Sequence, residues 1–173
     1  IYVNRMPIHR IMRKILLLII SAIVFQGVAR AQFSESFTDG DFTSNPTWTG
    51  DVALFRVNTA FQLQLNATTE TLATLAVPIV SSTEMEWSCW VKLGFAPSDN
   101  NLARIYLMSD QADLKGALNG YYLKMGENLA NDAIELVKQT GTTSTVVCRG
   151  IDAYIASSFA IRIKVTRTAG GEW

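Results

Sequence analysis

Apolar and polar side chains alternate one by one along much of this chain, the period of a strand that buries one face and wets the other. From Met85 to Phe95, the set Met85, Trp87, Cys89, Val91 and Leu93 opposes Glu86, Ser88, Trp90 and Lys92. Ile161, Ile163 and Val165 oppose Arg162, Lys164 and Thr166, and Phe61, Leu63 and Leu65 oppose Gln62 and Gln64. Shorter runs of the same kind lie at 103–108, 121–125, 133–138 and 144–148, and 72–80 is extended with Pro78 marking an edge or an end. Turn-formers separate them: Asp39-Gly40-Asp41, Ser44-Asn45-Pro46, Pro97 to Asn101, Asn119-Gly120, Gly141-Thr142-Thr143 and Gly170-Gly171. Asp110 to Leu118 predicts no more than a helical turn on a loop. The pattern predicts an all-β, two-sheet β-sandwich. Phe61, Leu63, Leu65, Trp87, Cys89, Val91, Leu93, Ile105, Leu107, Ile161, Ile163 and Val165 face its interior.

The two ends read differently. Met12-Arg13-Lys14 is followed by an apolar run from Ile15 to Phe25 and by small residues at Ala29 and Ala31. That order reads residues 12–31 as a secretory signal peptide cut after Ala31, too short in its apolar part to span a bilayer comfortably. Residues 1–11 fit no export region and read as upstream translation. The β-sandwich domain is then 32–173, exported to the medium or the outer cell surface. Glu172-Trp173 reads as the start of a hairpin partner for Ile161 to Arg167, so the C-terminal strands are expected to lie beyond this sequence.

Setting the leader aside changes the charge. Residues 32–173 hold ten basic and fifteen acidic side chains, a net charge of about −5, and no histidine. Such a balance gives no overall electrostatic footprint for nucleic acid or for anionic membrane after signal cleavage. Without histidine there is no Ser-His-Asp triad, no Cys-His pair and no His-ligated zinc. Two cysteines are too few for a disulfide scaffold or a four-cysteine metal site. Export permits a Cys89–Cys148 disulfide, and buried free cysteines account for the two residues equally well.

Three stretches carry a resemblance: Phe33-Ser-Glu-Ser-Phe-Thr-Asp-Gly-Asp-Phe-Thr-Ser-Asn-Pro-Thr-Trp-Thr-Gly-Asp51, Asn101-Leu-Ala-Arg-Ile-Tyr-Leu-Met-Ser-Asp110 and Leu118-Asn-Gly-Tyr-Tyr-Leu-Lys-Met-Gly-Glu127. Together they resemble the N-terminal region of large exported proteins of Bacteroidetes-type bacteria described as lamin-tail-domain-containing proteins. The resemblance implies a concanavalin A-like jelly roll, downstream domains of the same chain, and no defined activity. Glucanases of that fold class carry a strand motif Glu-x-Asp-x-x-Glu, whereas this chain reads Glu84-Met-Glu86-Trp-Ser-Cys89. The third acid is missing, which argues against paired-carboxylate hydrolysis.

The class also implies a structural calcium, for which Asp39, Asp41 and Asp99 are the candidate oxygen ligands. The same residues are ordinary turn formers. Trp90, Tyr106 and Tyr122 fall on strand faces opposite the main apolar sets, with Lys92, Arg104 and Lys124 beside them. Exposed rings on a sheet offer flat apolar surfaces on which sugar rings stack. The expected role is a non-catalytic binding or adhesion module with a polysaccharide or cell-surface glycan as partner. A structural spacer and a glycoside hydrolase-like enzyme are the alternatives.

Overall fold

The computed structural model describes residues 33–129 and 131–173. A compact unit runs from Glu35 to Trp173, and the other unit, Ile1–Ser34, falls almost wholly outside the described residues, as does the signal peptide. The long alternating runs become strands. In chain order these are β1 (Thr49–Gly50), β2 (Phe55–Val57), β3 (Leu63–Leu65), β4 (Leu75–Ala76), β5 (Met85–Leu93), β6 (Ala103–Ser109), β7 (Leu118–Met125), β8 (Ile134–Gly141), β9 (Thr143–Arg149) and β10 (Phe159–Arg167). The helical content of the described residues is one 3-10 turn at Val52–Leu54.

All pairings are antiparallel. The largest sheet has the order β6-β7-β8-β9, while β5 pairs with β10, β2 with β3 and β1 with β4. Two layers share one core. Leu107, Leu123 and Leu136 form its buried centre on the four-stranded sheet, and Trp87, Ile163 and Val165 of the β5–β10 ribbon pack against them. Each such leucine removed from water is worth roughly 1.5–3 kcal/mol. Trp173 closes one end of this core, stacked on Trp87 at 5.5 Å between ring centroids and tilted on Tyr121 at 4.7 Å.

The β5–β10 ribbon keeps strict register from Met85↔Arg167 to Leu93↔Phe159. Its burial alternates residue by residue in both strands. A slip of one residue would turn every apolar side chain outward, so burial of one face fixes the pairing.

Some expectations change. Phe61 and Leu65 are not interior, being 53% and 51% exposed. Leu65 ends the short strand β3, and Phe61 lies in the β2–β3 turn at φ +56°, its amide bonded to the Asn58 carbonyl. Asn119-Gly120 is not a turn but lies inside β7, where Gly120 pairs with both Ser109 and Gln139. A side-chain carbon at Gly120 would run into the Met108 carbonyl oxygen, so a residue without one lets β6 and β7 meet beside their bulge. The extended stretch at 72–80 supplies only the two-residue β4. By contrast Gly141 does turn the chain between β8 and β9, at φ +60° as a short two-residue connection favours.

Candidate functional site

Strand pairing divides the six candidate binding residues between two separate faces. Arg104, Tyr106, Tyr122 and Lys124 come together on the four-stranded sheet, on the side away from the leucine core. Trp90 and Lys92 stand on β5, on the outer side of the ribbon.

On the four-stranded sheet the side chains are engaged with one another. Tyr122 is only 2% exposed, and its hydroxyl is 3.1 Å from that of Ser144 on β9. The Tyr106 ring tilts against it at 4.9 Å and donates its hydroxyl to Gln139 Oε1 at 2.8 Å. Gln139 in turn donates to the carbonyls of Gly116 and Gly141. Arg104 lies over the Tyr122 ring at 5.3 Å, a cation–π contact, and Lys124 reaches Glu135 at 3.7 Å. Burial pushes the Tyr106 hydroxyl above its ordinary pKa, so the ring stays neutral. With 2% of its surface exposed, the Tyr122 ring presents no open face in this arrangement, unlike the exposed ring the sequence reading expects. Arg104 covers that ring and Lys124 pairs with Glu135.

Arg149 closes the end of the same face. Its guanidinium bonds Glu127 Oε1 at 2.6 Å, Glu135 Oε1 at 2.8 Å and Asp152 Oδ1 at 2.9 Å through Nε, and also the Asn131 carbonyl. These bonds tie the loops after β7 and β9 to the sheet. The Arg149 guanidinium holds Glu127 below the ordinary carboxylate range, and Glu127 heads the carboxylates that raise Arg149 in return. No local pattern marks this clamp, because its members are brought together by the β7-β8-β9 pairing and a loop return.

The ribbon's outer side is built differently. Glu86, Ser88, Trp90 and Lys92 from β5 alternate outward, as do Ala160, Arg162, Lys164 and Thr166 from β10, and all are exposed. Trp90 keeps 41% of its surface in water, directly across from Arg162. Among the described residues the one ion pair on this face is Lys164 Nζ to Glu86 Oε2 at 2.8 Å. That contact engages Glu86, one of the two carboxylates considered for hydrolysis, while Glu84 precedes the strand. Arg162 and Lys164 were missed as site residues because their neighbourhood with Trp90 is created by pairing across some seventy residues of chain.

The acidic turns serve their own backbone. Asp41 accepts from the Ser44 hydroxyl, from the Thr43 amide and hydroxyl and from the Phe42 amide, which holds its carboxyl well below the usual range, the Ser44 bond contributing most. Asp39 accepts from the Asp41 amide. Among the described residues no three His, Cys, Asp or Glu side chains form a group able to hold a metal ion, so Asp39, Asp41 and Asp99 are not brought together as one. Cys89, partly buried on β5, and Cys148, exposed on β9, are both free, placed in different sheets by the pairing. Burial raises the Cys89 thiol.

A cleft of about 350 Å³ lies elsewhere, lined by Thr49, Gly50, Asp51, Thr74, Ala112, Asp113 and Lys115. The Lys115–Asp51 ion pair, at 2.8 Å, lies on its wall. None of the candidate binding residues reaches it.

These geometries define an all-β, two-layer protein with one polar, aromatic face exposed and another packed. Comparison with known protein families, curated proteins and solved structures finds no match for the chain.

Proposed function

We propose that this chain is a non-catalytic binding module of an exported bacterial protein, with glycan as its ligand. The observation that supports it most is the exposed Trp90 ring on an outward sheet face, surrounded by hydrogen-bonding side chains. A sugar ring has one apolar face and a polar rim, and a tryptophan among polar groups complements both. The concanavalin A-like jelly roll and the membership in lamin-tail-domain-containing surface proteins belong to this proposal. So do export, the absence of hydrolytic activity, and continuation into further domains.

Pull-down on a panel of insoluble and immobilised polysaccharides tests it. The native protein is expected to be retained by at least one of them. Trp90→Ala is expected to lose that retention, with hydrolysis products absent in either case. Retention unchanged in Trp90→Ala would remove the ring from the site, and no retention on any glycan would leave the spacer role as the better reading.

A further inference from the structure

The glycan reading leaves open what kind of sugar the ribbon takes, and the cations around Trp90 bear on that. Successive outward residues on one strand are about 7 Å apart, and neighbouring strands about 4.8 Å. The register therefore arranges the face in rows: Lys92 beside Ala160, Trp90 beside Arg162, Ser88 beside Lys164, Glu86 beside Thr166. The first three rows each carry one cation, with the indole in the middle row. Three cations against one carboxylate make this face positive on a segment whose net charge is about −5. The neutralising contact Lys164–Glu86 joins side chains 62% and 57% exposed. An ion pair so open to water holds only weakly, and a ligand anion can replace it.

Resting on the glycan reading above, we infer that the β5–β10 face binds an acidic polysaccharide whose sugar rings carry carboxylates. One ring stacks on Trp90 while Arg162 meets its carboxylate and Lys92 and Lys164 meet those of neighbouring sugars. The guanidinium fork accepts a planar carboxylate in two parallel hydrogen bonds, and the lysines act as point charges reached by a flexible chain. The polymer lies along the strands, because that is the direction in which the cations repeat. The net charge comes from Arg162 and Lys164 on β10, while β5 brings the indole and Lys92, so the site exists only when the two strands pair.

The test compares binding of the protein to polygalacturonate, to its fully methyl-esterified form, to dextran sulfate and to single-stranded DNA by calorimetry at two salt concentrations. Binding to polygalacturonate is expected, weakening as salt rises. Arg162→Ala and Lys92→Ala should each lower affinity by roughly tenfold, the usual loss for one charge-assisted hydrogen bond, and full esterification, which removes every carboxylate, should lower it by more than either. These variants replace exposed side chains, and an unchanged melt for each confirms that the fold is intact. Equal affinity for the acid and the ester would overturn the inference while leaving a neutral glycan site. Tighter binding of dextran sulfate would overturn the carboxylate assignment. DNA bound as tightly as polygalacturonate would reduce the face to a plain cationic patch. Failure to bind any glycan would sink this inference and the glycan reading together.

Discussion

The two outward faces of this sandwich hold similar side chains and use them in opposite ways. Each sets aromatic rings among cations. On the four-stranded sheet, Tyr122 is 2% exposed under Arg104 and beside Tyr106, with both hydroxyls paired within the fold. On the β5–β10 ribbon, Trp90 is 41% exposed and its neighbours Lys92 and Arg162 point into water. The difference follows from position. Tyr122 sits on β7, a strand flanked on both sides by β6 and β8, and Gln139, bonded to Tyr106, is tied in turn to the Gly116 carbonyl of the loop before β7. Trp90 sits on a two-stranded ribbon whose inner side is committed to the core and whose outer side stands open. A ring surrounded by its own sheet stabilises the fold, whereas a ring left in water is available to a partner.

The largest effect that could break this contrast is on stability. Tyr122→Ala should cost about 3 kcal/mol or more, as removal of a buried aromatic ring does, against a total of only about 5–15 kcal/mol. Trp90→Ala, at an exposed position, should stay within about 0.5 kcal/mol of the native protein. Urea unfolding of the two variants measures both. Equal losses would mean that Trp90 is a structural residue and that the faces do not differ.

A smaller effect sharpens the packed side. Glu127, held down chiefly by Arg149, has a folded pKa below its ordinary 4.5; Asp51 lies below 3.8 chiefly through its Lys115 bond, and Asp41 through the Ser44 hydroxyl and the Thr43 amide. Groups depressed in the folded state release protons that the unfolded chain retains, so their contribution is fully present above the ordinary value. It is lost as pH falls through the folded value. Melting temperature should therefore decline below about pH 4.5, as the unfolded carboxylates protonate first. Glu127→Gln should flatten part of that decline and lower the melt at neutral pH. An acid limb of unchanged slope in Glu127→Gln would show that the Arg149 clamp contributes nothing there.

Much of this contrast was legible before any coordinates. Strict alternation over Met85–Leu93 and Phe159–Arg167 placed Trp87, Ile163 and Val165 inward and Trp90, Arg162 and Lys164 outward, because a period of two admits no other division. It did not say which outward face would be covered, since Tyr122 and Trp90 occupy equivalent places in their runs and differ only in their neighbours in space. Pairing was equally hidden. Arg162 joins Trp90, and Arg149 joins Glu127, through registers that no local pattern reveals. The net charge of about −5 concealed a positive face for the same reason, because a sum carries no geometry. Leu65 alternated as cleanly as any core strand yet lies exposed, since alternation records a strand and not a second layer to bury it, while Phe61 falls in the turn before β3 at φ +56° and outside any strand.

The most direct test of the central claim is a map of where an acidic oligosaccharide touches the molecule. In a titration of isotope-labelled protein with oligogalacturonate, followed by NMR, the Trp90 indole N–H and the amides of 88–92 and 160–164 should shift together in a saturating manner. The amides of 104–106 and 122–124 should stay in place. Shifts confined to the Arg104–Tyr106 and Tyr122–Lys124 segments, with the Trp90 indole unmoved, would contradict the account by making the packed face the binding face.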